Sequence, residues 1–196
     1  RLIVCRQEGG AAHMAEAHGK LTGAPGVCFV TRGPGATNAS IAIHTARQDS
    51  TPLIVFVGQV GRDAMSREAW QEIDYRHMFG HIAKWVDQVD DARRLPEYVS
   101  RAFHVATSGR PGPVVLALPE DMLTDLVTVA DAPRYRRSAS APTQEAMDGL
   151  AVELARAERP LVVLGGGGWT REASADITAF AANFDLPVAC AFRRQD

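Results

Sequence analysis

Short continuous apolar runs alternate along the chain with stretches of helical period. The runs are Leu2 to Cys5, Val27 to Val30, Leu53 to Val57, Val114 to Leu118 and Leu161 to Leu164, and a further apolar stretch covers Leu186 to Ala191. Each is too short for a helix and lacks the polar alternation of a half-exposed strand, which predicts strands covered on both faces. Between them, Val99, Ala102, Phe103 and Ala106 fall at i, i+3, i+4 and i+7, as do Met147, Leu150, Ala151 and Leu154, and again Ile177, Phe180, Ala181 and Phe184. Each set makes one apolar stripe for packing on a sheet. Pro96 suits the first turn of the helix through Val99, and Gly109 with Pro111 suits its end. The pattern predicts an α/β fold, a parallel sheet with helices on both faces.

The period breaks at residues 127–142, where Arg134, Arg136, Arg137, alternating Ser and Ala, and two prolines replace it. This reads as a linker with a solvated basic face. It leaves residues 1–126 as one domain and 143–196 as the start of a second α/β, Rossmann-like domain, too short to close by itself. Hydrophobic residues at 46% and charged residues at 22% exclude general disorder, and a net charge of −2 makes nucleic acid a poor partner. No run approaches the length needed to cross a bilayer. Cys5, Cys28 and Cys190 lie in or beside apolar runs, which reads as reduced, buried core thiols of a cytoplasmic protein.

Ligands of parallel sheets bind at the carboxyl ends of the strands. Those ends carry Arg6-Gln7-Glu8-Gly9-Gly10, Thr31 through Asn38 with its Gly33-Pro34-Gly35 turn, and Gly58-Gln59-Val60-Gly61. Glu8 is the one carboxylate among them. Thr37 and Asn38 are cap candidates for the helix after the Gly-Pro-Gly turn. His77 and His81, four apart, make a weak metal pair with no third ligand, and no metal residue is assigned. Gly165 to Gly168 after a strand reads as a plain turn or as a close approach to a nucleotide, and Trp85 reads as packing.

Five blocks stand in order: Arg6 to Ala15, Thr31 to Asn38, Pro52-Leu53 through Val60, Ser108 to Val114, and Pro119-Glu120-Asp121. Together they resemble the pyrimidine-binding domain of thiamine diphosphate enzymes of the acetolactate synthase type, with a flavodoxin-like fold, and residues from about 145 resemble the opening of that family's central domain. The resemblance implies that Glu8 hydrogen-bonds the pyrimidine N1′ and is the catalytic residue of cofactor activation, in dehydrated surroundings that raise its pKa. It places Glu8, Thr31, Gly33, Pro34 and Asn38 at the cofactor, and Gln71 with Trp70 at the substrate. It also implies that Mg²⁺ and the diphosphate are held by a C-terminal domain outside this sequence, and that some relatives carry flavin (FAD). The expected parent is a homodimer or tetramer acting on a small-molecule 2-oxo acid, and the 196 residues alone are expected to be inactive.

Three positions depart from the family's common residues. Gln7 replaces a frequent His, Trp70 a Phe, and Glu120 a Lys. The leading expectation is decarboxylation of a 2-oxo acid and transfer of the resulting carbanion to an acceptor carbonyl. A thiamine-dependent decarboxylase or other carboligase, and a non-catalytic nucleotide- or flavin-binding module, stand as alternatives.

Overall fold

The computed structural model describes residues 2–138 and 140–195. The chain divides into two compact units, Arg1–Ser138 and Ala139–Asp196.

In the first unit the elements run α1 (Glu8–Thr22), β1 (Gly26–Val30), α2 (Pro34–Asp49), β2 (Leu53–Gln59), α3 (Tyr75–Phe79), β3 (Trp85–Gln88), α4 (Leu95–Thr107) and β4 (Pro113–Pro119). The four strands are all parallel, in the order β1-β2-β4-β3, with Val27 opposite Ile54, and Val114 opposite both Ile54 and Trp85. Successive strand residues face opposite sides. Accordingly Leu53, Val55 and Val57 join Cys28, Val30 and Val115 in a core closed by α1, α2 and α3. Ile54 and Phe56 join Val114, Leu116 and Leu118 in a second core closed by Ala102 and Ala106 of α4. The parallel sheet with helices on both faces is therefore as the apolar runs predict. On the first face Ala12 of α1 and Ala36, Ala39 and Ala42 of α2 are fully buried. Their small side chains let the two helices approach closely, which sets the distance between the first turns that carry the site.

The run Leu2 to Cys5 is the exception. It forms no strand, and Leu2, Ile3 and Val4 are 80%, 69% and 88% exposed. An apolar run becomes a strand only where a neighbour supplies ladder hydrogen bonds, and among the described residues none pairs with it. A groove of about 720 Å³ separates it from α1 and from β1, the strand at that end of the sheet. Trp85 packs as expected, stacked on Tyr98 with Arg101 over its ring, but it does so from β3, a strand that no apolar run announced. The helix over Val99 runs Leu95–Thr107 with Pro96 in its first turn.

The second unit holds α5 (Gln144–Arg156), β5 (Val162–Leu164), α6 (Arg171–Asn183) and β6 (Val188–Cys190), the two strands pairing in parallel. The predicted helical stripes exist, yet no residue of α5 is buried and Phe184 after α6 is 66% exposed. Two strands offer too little surface to cover them. Of the three thiols expected to be buried, one is. Cys28 is buried in the first core, Cys5 is half-buried beside the unpaired run, and Cys190 is exposed on β6.

Candidate functional site

Gln7 is extended and caps α1, its side chain accepting from the Gly10 N–H at 2.7 Å. That start puts Glu8 in the first helical turn, where the helix dipole favours a carboxylate. On the neighbouring element the chain leaves β1 through Thr31 and turns at Gly33, whose φ of 56° lies in the left-handed region open to glycine. Pro34 then begins α2.

This early start corrects the capping expectation. Gly33 is the N-cap, without a side-chain bond, while the Thr37 hydroxyl donates back to the Gly33 carbonyl at 3.1 Å. Asn38, a full turn into the helix, caps nothing. Its Nδ2 instead donates to Glu8 Oε2 at 3.0 Å, joining the first turns of α1 and α2. Gly35 lies between them, and a Cβ placed there would come within 2.7 Å of Thr31 Cγ2 and 3.5 Å of Glu8 Oε1. Glu8 is half-buried, and Thr31, Pro34 and Asn38 are exposed around it.

The electrostatics also differ from expectation. The Asn38 amide first, and the backbone N–H at the helix start second, hold the Glu8 carboxyl below its ordinary pKa rather than above it. Desolvation opposes them but is the smaller effect, and Leu2, Ile3 and Val4 just before the helix are exposed.

The substrate-side candidates lie in the irregular segment 60–74. Gln71 packs against the Gly-Pro-Gly corner, since a Cβ on Gly33 would stand 2.8 Å from Gln71 Cβ. Trp70 offers its carbonyl to Arg32 Nε at 3.2 Å, while its side chain is 78% exposed. The structure thus gathers Glu8, Asn38, Thr31 and Gly35 into one group and sets Gln71 against Gly33.

Two residues that the sequence did not single out complete the frame. Tyr75, 3% exposed, accepts the Gly33 N–H at 2.9 Å and donates to the Gly58 carbonyl at 3.3 Å, tying the corner to β2. Burial pushes its hydroxyl pKa up. Arg32 pairs with Glu120 at 2.6 Å across the strand ends. Only the position of Tyr75 after an irregular loop hinted at its role. The buried Gln59 is spent on the fold, donating to the Ile73 carbonyl at 2.9 Å.

His77 and His81 do not share a helix face, because α3 ends at Phe79; His77 Nδ1 lies 2.8 Å from Asp74 Oδ2. No group of three His, Cys, Asp or Glu side chains suited to a metal occurs among the described residues. In the second unit Gly165 to Gly168 form the turn from β5 toward α6, closed by Trp169 Nε1 on the Gly165 carbonyl at 3.0 Å. No helix among the described residues is long and apolar enough to cross a membrane.

Residues 1–78 match the family described as thiamine pyrophosphate enzyme, N-terminal TPP binding domain. The chain is 40% identical over 192 residues to an acetolactate synthase large subunit of Lactococcus lactis, covering 95% of this chain and 33% of that protein. It is 38% identical over 190 residues to an acetolactate synthase of Arthrospira platensis, covering 93% of this chain and 33% of the relative. It is 37% identical over 189 residues to the acetolactate synthase isozyme 1 large subunit of Escherichia coli, with 95% and 33% covered. The resemblance read from the five blocks is borne out, and the chain spans about one third of the length of these relatives.

Proposed function

We propose that this chain, similar to acetolactate synthase large subunits over almost its whole length, forms the pyrimidine-binding part of a thiamine diphosphate-dependent enzyme. The reaction is decarboxylation of a 2-oxo acid and transfer of the resulting carbanion to an acceptor carbonyl. The observation that carries this reading is the Glu8–Asn38 hydrogen bond of 3.0 Å beside the Gly33-Pro34-Gly35 corner.

When bound, thiamine diphosphate supplies the carbon nucleophile and the electron sink of the reaction. The chain's own part is narrower. Glu8, ionised at neutral pH because Asn38 and its own helix start favour the anion, would accept a charge-assisted hydrogen bond from the pyrimidine ring nitrogen once that nitrogen has taken a proton from solvent. Asn38 fixes the carboxylate's direction, and its bond to Oε2 leaves a half-buried group open to a ligand. Thr31 and Pro34 present an exposed hydroxyl and a rigid apolar ring beside it. Fit rests on the cradle at Gly35, where any side chain would intrude between Thr31 and Glu8. Gln71 and Trp70 line the substrate side.

In this reading residues 1–126 are the pyrimidine-binding domain, 127–142 the linker and 143–196 the opening of the central domain. Mg²⁺ and the diphosphate are held by residues outside the chain. The parent is a cytoplasmic homodimer or tetramer, and a flavin would approach through the turn at Gly165 to Gly168.

The departures from the family's common residues at Gln7, Trp70 and Glu120 leave a second reading within the same chemistry, in which the acceptor differs or decarboxylation stands alone. Supplying the full-length protein with pyruvate, thiamine diphosphate and Mg²⁺ separates them. Acetolactate is the expected product; acetaldehyde and CO₂ without acetolactate select the second reading, and no turnover of pyruvate or of a panel of other 2-oxo acids refutes both.

A further inference from the structure

We infer that Arg32 is a positioning residue for the substrate side of the site: with Glu120 it latches the segment 64–74 and so holds Gln71 against the Gly33-Pro34-Gly35 corner. The inference rests on the proposed function for the identity of what Gln71 faces.

The latched segment is one that does not hold itself. Ser66, Glu68 and Gln71 have φ of 61°, 56° and 65°, left-handed values that cost energy for residues with side chains. Part of the shape is fixed from inside, where the Glu72 carboxylate accepts from the Ser66 N–H at 2.6 Å and the Ala69 N–H at 3.1 Å. The chain is tied to the sheet just before the segment, at Arg62 through Asp121, and near its end, at Ile73 through Gln59. The middle is tied by Arg32, whose Nε donates to the Trp70 carbonyl one residue before Gln71.

Arg32 itself is aimed from the other side. Its Nη1 meets Glu120 Oε2 at 2.6 Å, and the Glu120 N–H donates to the Gln59 carbonyl at 3.0 Å, so the acidic partner sits on a fixed backbone at the end of β4. A guanidinium serves here because its rigid fork addresses two acceptors in different directions, which an ammonium on a flexible stem does less well. The pair is partly exposed, at 25% for Arg32 and 61% for Glu120, so its direct contribution to global stability is small. Its consequence is local. Loosening the segment withdraws Gln71 from the corner but leaves the Glu8–Asn38 bond, made by α1 and α2, in place.

The test uses the full-length protein with Arg32→Ala, Arg32→Lys and Glu120→Gln. Hydrogen exchange of residues 64–74 is followed by mass spectrometry, alongside steady-state kinetics with the 2-oxo acid and exchange of the cofactor's C2 proton. In Arg32→Ala the segment is expected to exchange about tenfold faster and KM to rise about tenfold, with kcat and C2 exchange within about twofold of the parent. Glu120→Gln shifts both in the same direction by less. Arg32→Lys, which keeps the pair but not the bond to Trp70, behaves closer to Arg32→Ala. Unchanged hydrogen exchange in Arg32→Ala overturns the latch, and faster exchange with an unchanged KM overturns its link to substrate. A parent without 2-oxo acid turnover overturns the proposed function and that link together, while the hydrogen-exchange arm still decides the latch.

Discussion

Replacing Gly35 by alanine tests whether the corner is shaped around Glu8. The new Cβ would sit 2.7 Å from Thr31 Cγ2, where ordinary contact begins at 3.4 Å, so something must move by roughly that difference. Alanine in a helix is favoured over glycine by about 1 kcal/mol, and overpacking of this kind costs about 1–3 kcal/mol, leaving a net loss of about 0–2 kcal/mol. Thr31 is β-branched and stiff about χ1, so relief comes through α2 shifting its first turn outward. That shift carries Asn38 away from Glu8 and lengthens their 3.0 Å bond. Stability measured by urea unfolding is therefore expected to fall by no more than about 2 kcal/mol, while affinity for thiamine diphosphate, by titration of the full-length protein, falls about tenfold because the Glu8 carboxylate loses the alignment that Asn38 gives it. Adding Thr31→Ser deletes the obstructing methyl, keeps the hydroxyl and recovers most of the affinity. A double variant no better than the single one, or a single variant that binds like the parent, refutes the reasoning.

Tyr75→Phe strips the buried Gly33 N–H of its acceptor and is expected to cost about 1–3 kcal/mol in urea unfolding, with no change in fold by circular dichroism. Asn38→Ala removes the main cause of the low Glu8 pKa. A carboxyl whose pKa is depressed on folding stabilises the protein above its unfolded pKa, and this stability fades as pH falls through the folded value. Asn38→Ala therefore moves the acid limb of C2-proton exchange, and of stability, to higher pH. Gly26→Ala would drive a Cβ into the Ala15 carbonyl group and is expected to destabilise by more than about 3 kcal/mol, whereas Gly10→Ala, with its nearest atom at 3.7 Å, is neutral or stabilising by about 0.5–1 kcal/mol. Thermal unfolding of the two variants side by side checks that contrast.

The central strands were legible because burial on both faces writes itself as an unbroken apolar run, as in Leu53 to Val57. β3 was not, since Asp87 and Gln88 make Trp85–Gln88 look polar; its pairing with β4 is decided by tertiary contact, not by composition. Leu2 to Cys5 failed in the opposite sense, because an apolar run states a wish for cover that only a neighbouring strand can satisfy. At the site, Glu8, Asn38 and the Gly-Pro-Gly corner could be named from their order along the chain, but the bond between Glu8 and Asn38 depends on where α2 begins, a choice between Gly33 and Thr37 that side-chain capping rules misjudged. The direction of the Glu8 pKa was likewise hidden, since it turns on a donor thirty residues away. Tyr75 and Arg32 act through the backbone carbonyls and N–H groups of other segments, and such partners leave no spacing to read.

The most direct test is the rate at which the full-length protein exchanges the C2 proton of bound thiamine diphosphate for deuterium, compared between the parent and Glu8→Gln. Glutamine keeps the size of the side chain and a hydrogen-bond acceptor for Asn38 but cannot carry the proton, so the rate is expected to fall at least about a hundredfold with the circular dichroism spectrum unchanged. Exchange in Glu8→Gln within about twofold of the parent would contradict the assignment of Glu8 and the reading built on it.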